Sequence, residues 1–344
     1  MSKRGTNLQG KVIKIFSDFY YVKTNAGIIE CKLREVLKKS GIQILVGDNV
    51  EIENLQTASE QAAICKLEAR KNSLLRPSVA NVDQIILVIS MKHPKTPLSN
   101  IDRYLAQAKY FNVKAVICAN KSDLADEKEK SELVNIYKTL GYEIVFTSAI
   151  EKTGIKELLS YLDGKISLFC GASGVGKTSL CNAINKDIVF KTGEVSKNTR
   201  GTHTTRHCEI ISVADGEKTF DIVDTPGFSL LKFDYIEPQR VKEFFPEIAE
   251  QAKGCKFSDC LHENETGCNV VSNLEKIAPS RYESYLSILE EAKDYKKRIQ
   301  NQGKKTEEKS KNINDKFVPK ISAKKRSFSR KKAKQLLSIE VYDE

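Results

Sequence analysis

The chain of 344 residues is too long for one ordinary domain and long enough for two or three with cores of their own. Its opening Met1-Ser2-Lys3-Arg4-Gly5-Thr6 leads into no apolar signal core, and no stretch approaches the roughly eighteen apolar residues of a membrane span, so a cytoplasmic protein with no membrane partner is expected. The formal net charge of +11 is concentrated: residues 296–334 hold sixteen Lys and Arg against three Asp and Glu, residues 335–344 hold three acids and no base, and the remainder is close to neutral.

In chain order, residues 10–68 carry short strand-like runs, Lys11 to Phe16, Tyr20 to Thr24, Ile28 to Leu33, Val50 to Glu53 and Ala62 to Leu67. The turn signals Asn25-Ala26-Gly27 and Val46-Gly47-Asp48 separate them. About five strands in so small a unit predict a closed barrel of the oligonucleotide-binding type (OB-fold), because closure removes strand edges. An SH3-like barrel has a similar pattern. From Val82 the texture changes to apolar strands alternating with amphipathic helices. The strands are Gln84 to Ser90, Val113 to Ala119, Glu143 to Phe146 and Ile166 to Cys170, with helices over Ser99 to Tyr110, Lys128 to Leu140 and Gly154 to Leu162. That alternation predicts an α/β domain with a parallel, doubly wound sheet. Two more strands, Cys208 to Val213 and Thr219 to Val223, precede a mostly helical region from Pro238 to about Arg298. The basic segment beyond it is rich in Lys, Ser and Gly and is expected to lack order until it meets a polyanion such as RNA; a merely solubilising tail is the alternative.

The glycine-rich segment after the strand Ile166 to Cys170 reads Gly171-Ala172-Ser173-Gly174-Val175-Gly176-Lys177-Thr178-Ser179. It fits G-x-x-x-x-G-K-[ST] between a strand and a helix, the context in which that pattern binds phosphate. Backbone N–H groups would curl round phosphate oxygens, Lys177 would reach the β and γ phosphates, and the Thr178 hydroxyl would ligate Mg²⁺. Asp224-Thr225-Pro226-Gly227 closes a later strand, placing Asp224 where a carboxylate holds Mg²⁺ and Gly227 where an N–H can sense the γ-phosphate. Asn120-Lys121-Ser122-Asp123 follows the strand Val113 to Ala119, and its Asp123 carboxylate could accept both N1–H and N2–H of guanine, a pair that adenine lacks. Ser148-Ala149, one β-α unit on, would support guanine O6.

The order of these segments is base loop, Ser-Ala loop, phosphate loop, threonine-rich loop and Asp-x-x-Gly, whereas ordinary GTPases begin with the phosphate loop. The motifs are thus circularly permuted, which a sheet tolerates when the original termini are close. Lys191 to Arg206 reads as a switch loop, with Thr205 or Thr204 completing the Mg²⁺ shell. Phe228 stands where Ras-like GTPases carry the water-orienting Gln, so slow intrinsic hydrolysis is expected. His203, in the switch loop, is the candidate to order the water; a solvent-exposed, idle His203 is the alternative. Further on, Cys255-x4-Cys260-x-His262-x5-Cys268 supplies the four ligands of a closed, structural zinc shell. Of the nine cysteines, Cys118 and Cys170 sit in apolar runs, and the whole set fits a reducing compartment better than a disulfide framework.

Taken together, the permuted order, Gly-Ala-Ser-Gly-Val-Gly-Lys-Thr, Gly-Thr-His-Thr-Thr (Gly201 to Thr205), Asp-Thr-Pro-Gly and the Cys/His cluster resemble the ribosome small-subunit-dependent GTPase A family of bacteria and plastids, over residues from about 10 to 298. The expected domains are an OB-fold barrel (1–68), a circularly permuted P-loop GTPase domain (69–230), a zinc-binding helical domain (231–298) and a disordered basic tail (299–344). The resemblance implies a role in late maturation of the 30S ribosomal subunit and supports His203 as the hydrolytic residue. The expected protein is a monomeric hydrolase that turns GTP and water into GDP and phosphate while docked on the 30S subunit, with 16S rRNA held by the barrel, zinc domain and tail. The alternative is an RNA-binding placeholder whose affinity GTP gates, with incidental hydrolysis.

Overall fold

The computed structural model describes residues 7–53, 62–75, 77–185, 208–224, 233, 236–304, 310–313 and 316–319. The chain divides into two compact units, Met1–Leu231 with Lys242–Leu286, and Lys232–Val241 with Ser287–Glu344.

The first unit opens with β1 (Asn7–Phe16), β2 (Phe19–Thr24), β3 (Gly27–Leu33), the short helix α1 (Glu35–Ser40), β4 (Asn49–Glu53) and β5 (Ala62–Leu67). Alternation along these strands sends Val12, Val22, Cys31, Leu33, Val50, Ile52 and Ile64 into one dry interior. The pairing order β1-β2-β3-β5-β4 returns to β1 through Asn7↔Glu53, and β3 pairs with β5 in parallel. A five-stranded barrel with this crossover is the OB-fold, not the SH3-like alternative. A register shift between Val12 and Lys14 lets β1 curl far enough to serve both neighbours.

A small hairpin, β6 (Ser73–Leu75) and β7 (Ser78–Ala80), leads from the barrel to an α/β layer. Its elements are β8 (Gln84–Ser90), α2 (Leu98–Tyr110), β9 (Lys114–Asn120), α3 (Glu127–Tyr137), β10 (Glu143–Thr147), α4 (Ile155–Leu162), β11 (Ile166–Cys170), α5 (Lys177–Ile184), β12 (Glu209–Asp215) and β13 (Lys218–Asp224). The sheet order is β10-β9-β8-β11-β13-β12, parallel throughout except for β12. The strands are apolar on both faces because helices cover both. Ile85, Leu87, Ile89 and Ile117 pack with Ile101, Leu105 and Leu133 of α2 and α3, whereas Ile86, Val88, Val116 and Cys118 pack with Leu158, Leu162, Leu180 and Ile184 of α4 and α5. The Lys128 to Leu140 helix expected from sequence begins one residue earlier, at an Asp126/Glu129 capping box, and tightens to a 3-10 turn after Tyr137, where Gly141 takes φ 83°.

The barrel and the layer are joined through backbone. β1 pairs antiparallel with the edge strand β12 at Lys14↔Glu209, so one hydrogen-bonded sheet runs through both. Gly47 lies against Ala80: a Cβ there would stand 2.0 Å from the Ala80 carbonyl oxygen, and the Asn81 amide donates to the Gly47 carbonyl at 2.9 Å. Beside it the buried Asp48 accepts two bonds from Arg70, at 2.7 and 2.8 Å.

The unit closes with α6 (Pro246–Ala252), a Cys/His loop, and the first turns of α7 (Pro279–Lys304). Arg281 on α7 is 1 % exposed and is held by Asp102 of α2 (2.9 Å) and Glu247 of α6 (2.7 Å), with the Phe245 ring 4.7 Å away. Asp102 also accepts from the hydroxyls of Tyr137 (2.8 Å) and Ser284 (2.6 Å). Burial opposes the guanidinium charge, but Glu247 and Asp102 outweigh it and hold the group ionised. In the second unit, Glu291 on α7 accepts from the Phe233 N–H (3.1 Å) and Lys296 pairs with Glu237 (3.2 Å). Of the basic tail the described residues are the end of α7, which runs to Lys304, and the hairpin of β14 (Ser310–Ile313) and β15 (Lys316–Pro319).

Replacing Arg281 with Ala leaves two buried carboxylates facing each other. The first unit is expected to lose about 3–5 kcal/mol in denaturant unfolding, and a loss below about 1 kcal/mol would show the cluster to be dispensable.

Candidate nucleotide site and metal centre

The parallel strands β8, β9, β10, β11 and β13 all end at one edge of the sheet, so the loops that follow them converge there. After β11 the chain turns through Gly171 to Gly176 into α5. Gly171 (φ 142°) passes so close to β8 that a Cβ would lie 2.1 Å from the Val88 carbonyl oxygen. Gly176 (φ 92°) leaves room for Asn120, whose amide nitrogen would be 2.5 Å from an added Cβ. Lys177 Nζ donates to the carbonyls of Gly171 (2.7 Å) and Ala172 (2.9 Å) inside the loop. Burial lowers its pKa, because desolvation disfavours the charged ammonium. Ser173, Gly174, Thr178 and Ser179 are exposed along the rim, while Val175 is buried beneath it.

The base loop is fastened to this phosphate loop. Asn120, buried at the end of β9, donates to the Val175 carbonyl at 2.9 Å and accepts from the Thr147 hydroxyl at 3.3 Å. Lys121 takes the left-handed conformation (φ 59°) and donates to Gly174 (2.9 Å) and to the carbonyl of His93 (2.6 Å). Ser122 is buried and Asp123 exposed. In the neighbouring loop Ser148 is buried, donates from its N–H to the Thr153 carbonyl (3.1 Å) and accepts from Glu151 N–H (3.1 Å), with Ala149 half-buried beside it. The register Thr147↔Asn120 sets these two loops side by side.

Two contributors were not legible in the sequence: Thr147, and the turn Ser90 to Thr96, closed by Ser90 N–H to Thr96 Oγ1 (2.9 Å) and Thr96 N–H to the Ser90 carbonyl (2.9 Å). Lys92 of that turn pairs with Glu129 at 2.8 Å, and this bond holds the Glu129 carboxyl below its usual range. Asp224 ends β13 at the same edge. His203, Thr204, Thr205 and Gly227 lie outside the described residues.

Cys255, Cys260, His262 and Cys268 bring four ligand atoms within 4.8 Å of one another, and among the described residues this is the group able to hold a metal. Cys255 and Cys268 sulfurs are 3.9 Å apart, and His262 Nδ1 lies 3.5 and 3.6 Å from them. Tetrahedral zinc with Zn–S near 2.3 Å and Zn–N near 2.0–2.1 Å requires edges of about 3.8 and about 3.5 Å, so the donor set fits. Tyr282 and Tyr285 of α7 donate to the His262 and Leu261 carbonyls, each at 2.8 Å, and Glu265 accepts the N–H groups of Leu261 (2.7 Å) and Glu263 (2.9 Å). Burial pushes the Cys260 thiol up to about 12. At Cys255 burial also opposes ionisation, but the Val270 and Asn269 N–H groups win and its pKa falls.

A phosphate loop at a helix start, fastened to Asn-Lys-Ser-Asp and reached after it in the chain, defines a circularly permuted P-loop GTPase. Family models described as RsgA N-terminal domain and RsgA GTPase match residues 9–64 and 67–234. The small ribosomal subunit biogenesis GTPase RsgA of Geobacillus sp. (strain WCH70) is 42% identical over 296 residues, 84% of this chain and 99% of the relative; that of Alkaliphilus metalliredigens is 42% identical over 288 residues, 83% and 98%. Among solved structures, YjeQ from Thermotoga maritima superposes with a TM-score of 0.72 at 38% identity, covering 83% of this chain and 99% of that one. YloQ, described as a circularly permuted GTPase, gives 0.69 at 31%, covering 86% and 98%. The chain belongs to the RsgA family. A model described as 50S ribosome-binding GTPase also matches, over residues 167–309. That match starts just ahead of the phosphate loop and omits the barrel and base loop, so the relatives matched over nearly their whole length carry more weight.

Gly176→Ala should force a Cβ into the Asn120 amide and strain φ. GDP affinity is expected to fall by at least about tenfold in calorimetric titration, and an unchanged affinity would separate the Asn120 contact from binding.

Proposed function

We propose that this chain hydrolyses GTP while bound to the 30S ribosomal subunit late in its maturation, acting as a cytoplasmic monomer. The observation that carries this reading is the likeness, over nearly the full length of the relatives, to small ribosomal subunit biogenesis GTPases, in a chain whose nucleotide edge is intact. No helix among the described residues is long and apolar enough to cross a membrane, in keeping with that setting. The working divisions are 1–68 for the barrel, 69–230 for the GTPase, 231–298 for the zinc domain and 299–344 for the basic tail.

In this reading the backbone N–H groups from Gly171 to Thr178 cradle the phosphates and Lys177 turns from its loop carbonyls to the β and γ oxygens. Asp123 selects guanine by accepting N1–H and N2–H, and the Ser148-Ala149 loop supports O6. Thr178 and Asp224, with Thr204 or Thr205, would hold Mg²⁺, which neutralises phosphate charge when bound. Ser179 and Gly227 contribute N–H groups to the same cradle. His203 orders the attacking water in place of the missing Gln, Phe228 standing at that position. The four-residue Cys/His set holds one structural zinc, and the barrel, zinc domain and basic tail grip 16S rRNA through phosphate contacts.

Elemental analysis of the purified chain should find one zinc per molecule, and chelation should unfold the Cys255 to Cys268 loop. Less than about half an equivalent with that loop still folded would exclude the closed shell. For the activity itself, steady-state phosphate release is measured with purified 30S and 50S subunits at equal concentration. The 30S subunit is expected to accelerate release by at least about tenfold, which needs only about 1.4 kcal/mol of barrier lowering. No acceleration by 30S, or an equal effect of 50S, would overturn the reading.

A further inference from the structure

The joint between barrel and GTPase layer lies at a sensitive place. β12 begins at Glu209, directly after residues 186–207, which contain the threonine-rich segment, and β13 ends on Asp224. The two strands are paired over their whole length, Glu209↔Asp224 to Asp215↔Lys218, so they form one ribbon in which the start of β12 stands beside Asp224. Barrel side chains seize this ribbon. Lys11 of β1 pairs with Asp221 Oδ2 at 2.9 Å, and Asp221 Oδ1 accepts from the Ser212 hydroxyl at 2.6 Å. Lys23 of β2 donates to Ser212 Oγ at 2.7 Å, and Lys14 reaches Glu209 at 3.3 Å beside its backbone pairing. The chain Lys23, Ser212, Asp221, Lys11 is therefore one continuous polar network from two barrel strands to two layer strands.

Three properties set it apart from ordinary surface ion pairs. Asp221 is four-fifths covered, with both carboxylate oxygens engaged, so its pair is less screened than an exposed one. The network spans residues some two hundred positions apart, so it reports on domain placement and not on local helix or hairpin formation. Finally, the backbone link between β1 and β12 is the single register pair Lys14↔Glu209, so the side chains add directional bonds where the strand pairing is short.

We propose that Lys11 and Asp221 are positioning residues for the 30S-stimulated step of GTP hydrolysis and not for basal turnover: they transmit the placement of the barrel to the β12–β13 ribbon, and through it to Asp224 at the end of β13. Resting on the small-subunit reading, this makes the barrel a lever as well as an RNA grip. When the barrel docks on RNA, the displacement passes along Lys11–Asp221 and Lys23–Ser212 into the ribbon that ends on Asp224. Lys11 touches neither nucleotide loop, so its loss should spare basal turnover and nucleotide affinity.

The test uses the full chain in four forms: the parent, Lys11→Met, Lys11→Arg and Asp221→Asn. Hydrogen exchange of the protein alone is followed first. Lys11→Met and Asp221→Asn are expected to raise exchange at Glu209–Asp215 by about tenfold or more, with β8 and β9 unchanged and Lys11→Arg close to the parent. GTP turnover is then compared with and without 30S subunits. Basal rate and GDP affinity should stay within about twofold of the parent, binding to 30S should persist, and the stimulation by 30S should fall by about tenfold in Lys11→Met and recover in Lys11→Arg. Unchanged exchange at β12, or full stimulation in Lys11→Met, overturns the proposal. If the parent itself is not stimulated by 30S, the small-subunit reading fails instead, and the exchange experiment still decides whether the clamp transmits barrel placement to the ribbon.

Discussion

The nucleotide edge depends on one pair of side chains reaching backward along the chain in function but forward in sequence. Asn120 and Lys121 close on the carbonyls of Val175 and Gly174, more than fifty residues later, and so lock the base loop to the phosphate loop. Everything near them is shaped by that closure. Gly176 has no Cβ because Asn120 occupies the space, Gly171 has none because the Val88 carbonyl does, and Lys121 adopts a left-handed backbone to aim its ammonium at two carbonyls at once. These are strained or crowded positions, tolerated because the buried Asn120 amide would otherwise be left without its partner.

Permutation leaves this closure untouched because a hydrogen bond is indifferent to chain order. What it changes is where the added modules attach. In this chain the barrel precedes the layer and is drawn onto its free edge, β12, which an antiparallel partner can extend and which would otherwise present unpaired N–H and C=O groups. The barrel thus gives the edge a partner, and its lysines reach past the edge strand to Asp221 on β13.

Much of this was readable from sequence where a residue type and its spacing admit one physical use. Gly-x4-Gly-Lys-Thr between a strand and a helix, and Asn-Lys-x-Asp after a strand, lie at the same sheet edge, and three cysteines with one histidine converge within a metal's reach. Apolar strands alternating with amphipathic helices announced the parallel sheet, and five short strand-like runs separated by turn signals announced the barrel. The joints were not readable. Asp102 sits on an amphipathic helix where an acid reads as solvated, yet it is fully buried because Arg281, distant in sequence, docks on it. Lys11 and Asp221 look like ordinary outward residues of alternating strands until the two strands meet across β12. Thr147 reads as a strand residue until its hydroxyl is seen to fill the second valence of Asn120. Pairings of this kind are set by tertiary placement, which no local period encodes.

The Arg281 cluster shows why such a joint is polar. An apolar contact between α2 and the start of α7 could slide or rotate at little cost, whereas Asp102 accepts three directional bonds, from Arg281, Tyr137 and Ser284, and any other pose leaves at least one buried group unsatisfied. The cost of burying three charges is offset by their mutual bonds and by the Phe245 and Tyr137 ring faces beside the guanidinium. The same stretch of α7 carries Tyr282 and Tyr285, whose hydroxyls hold the Cys/His loop, and α2 begins just after the turn that Lys121 fastens by the His93 carbonyl. Directional bonds therefore join the metal-binding loop to α7 and α7 to α2, the helix that follows in sequence the turn held by Lys121. On the other side the barrel is tied to β13, whose last residue, Asp224, lies at the edge where the nucleotide loops converge, so each added module of the first unit is held by directional bonds to an element that borders that edge.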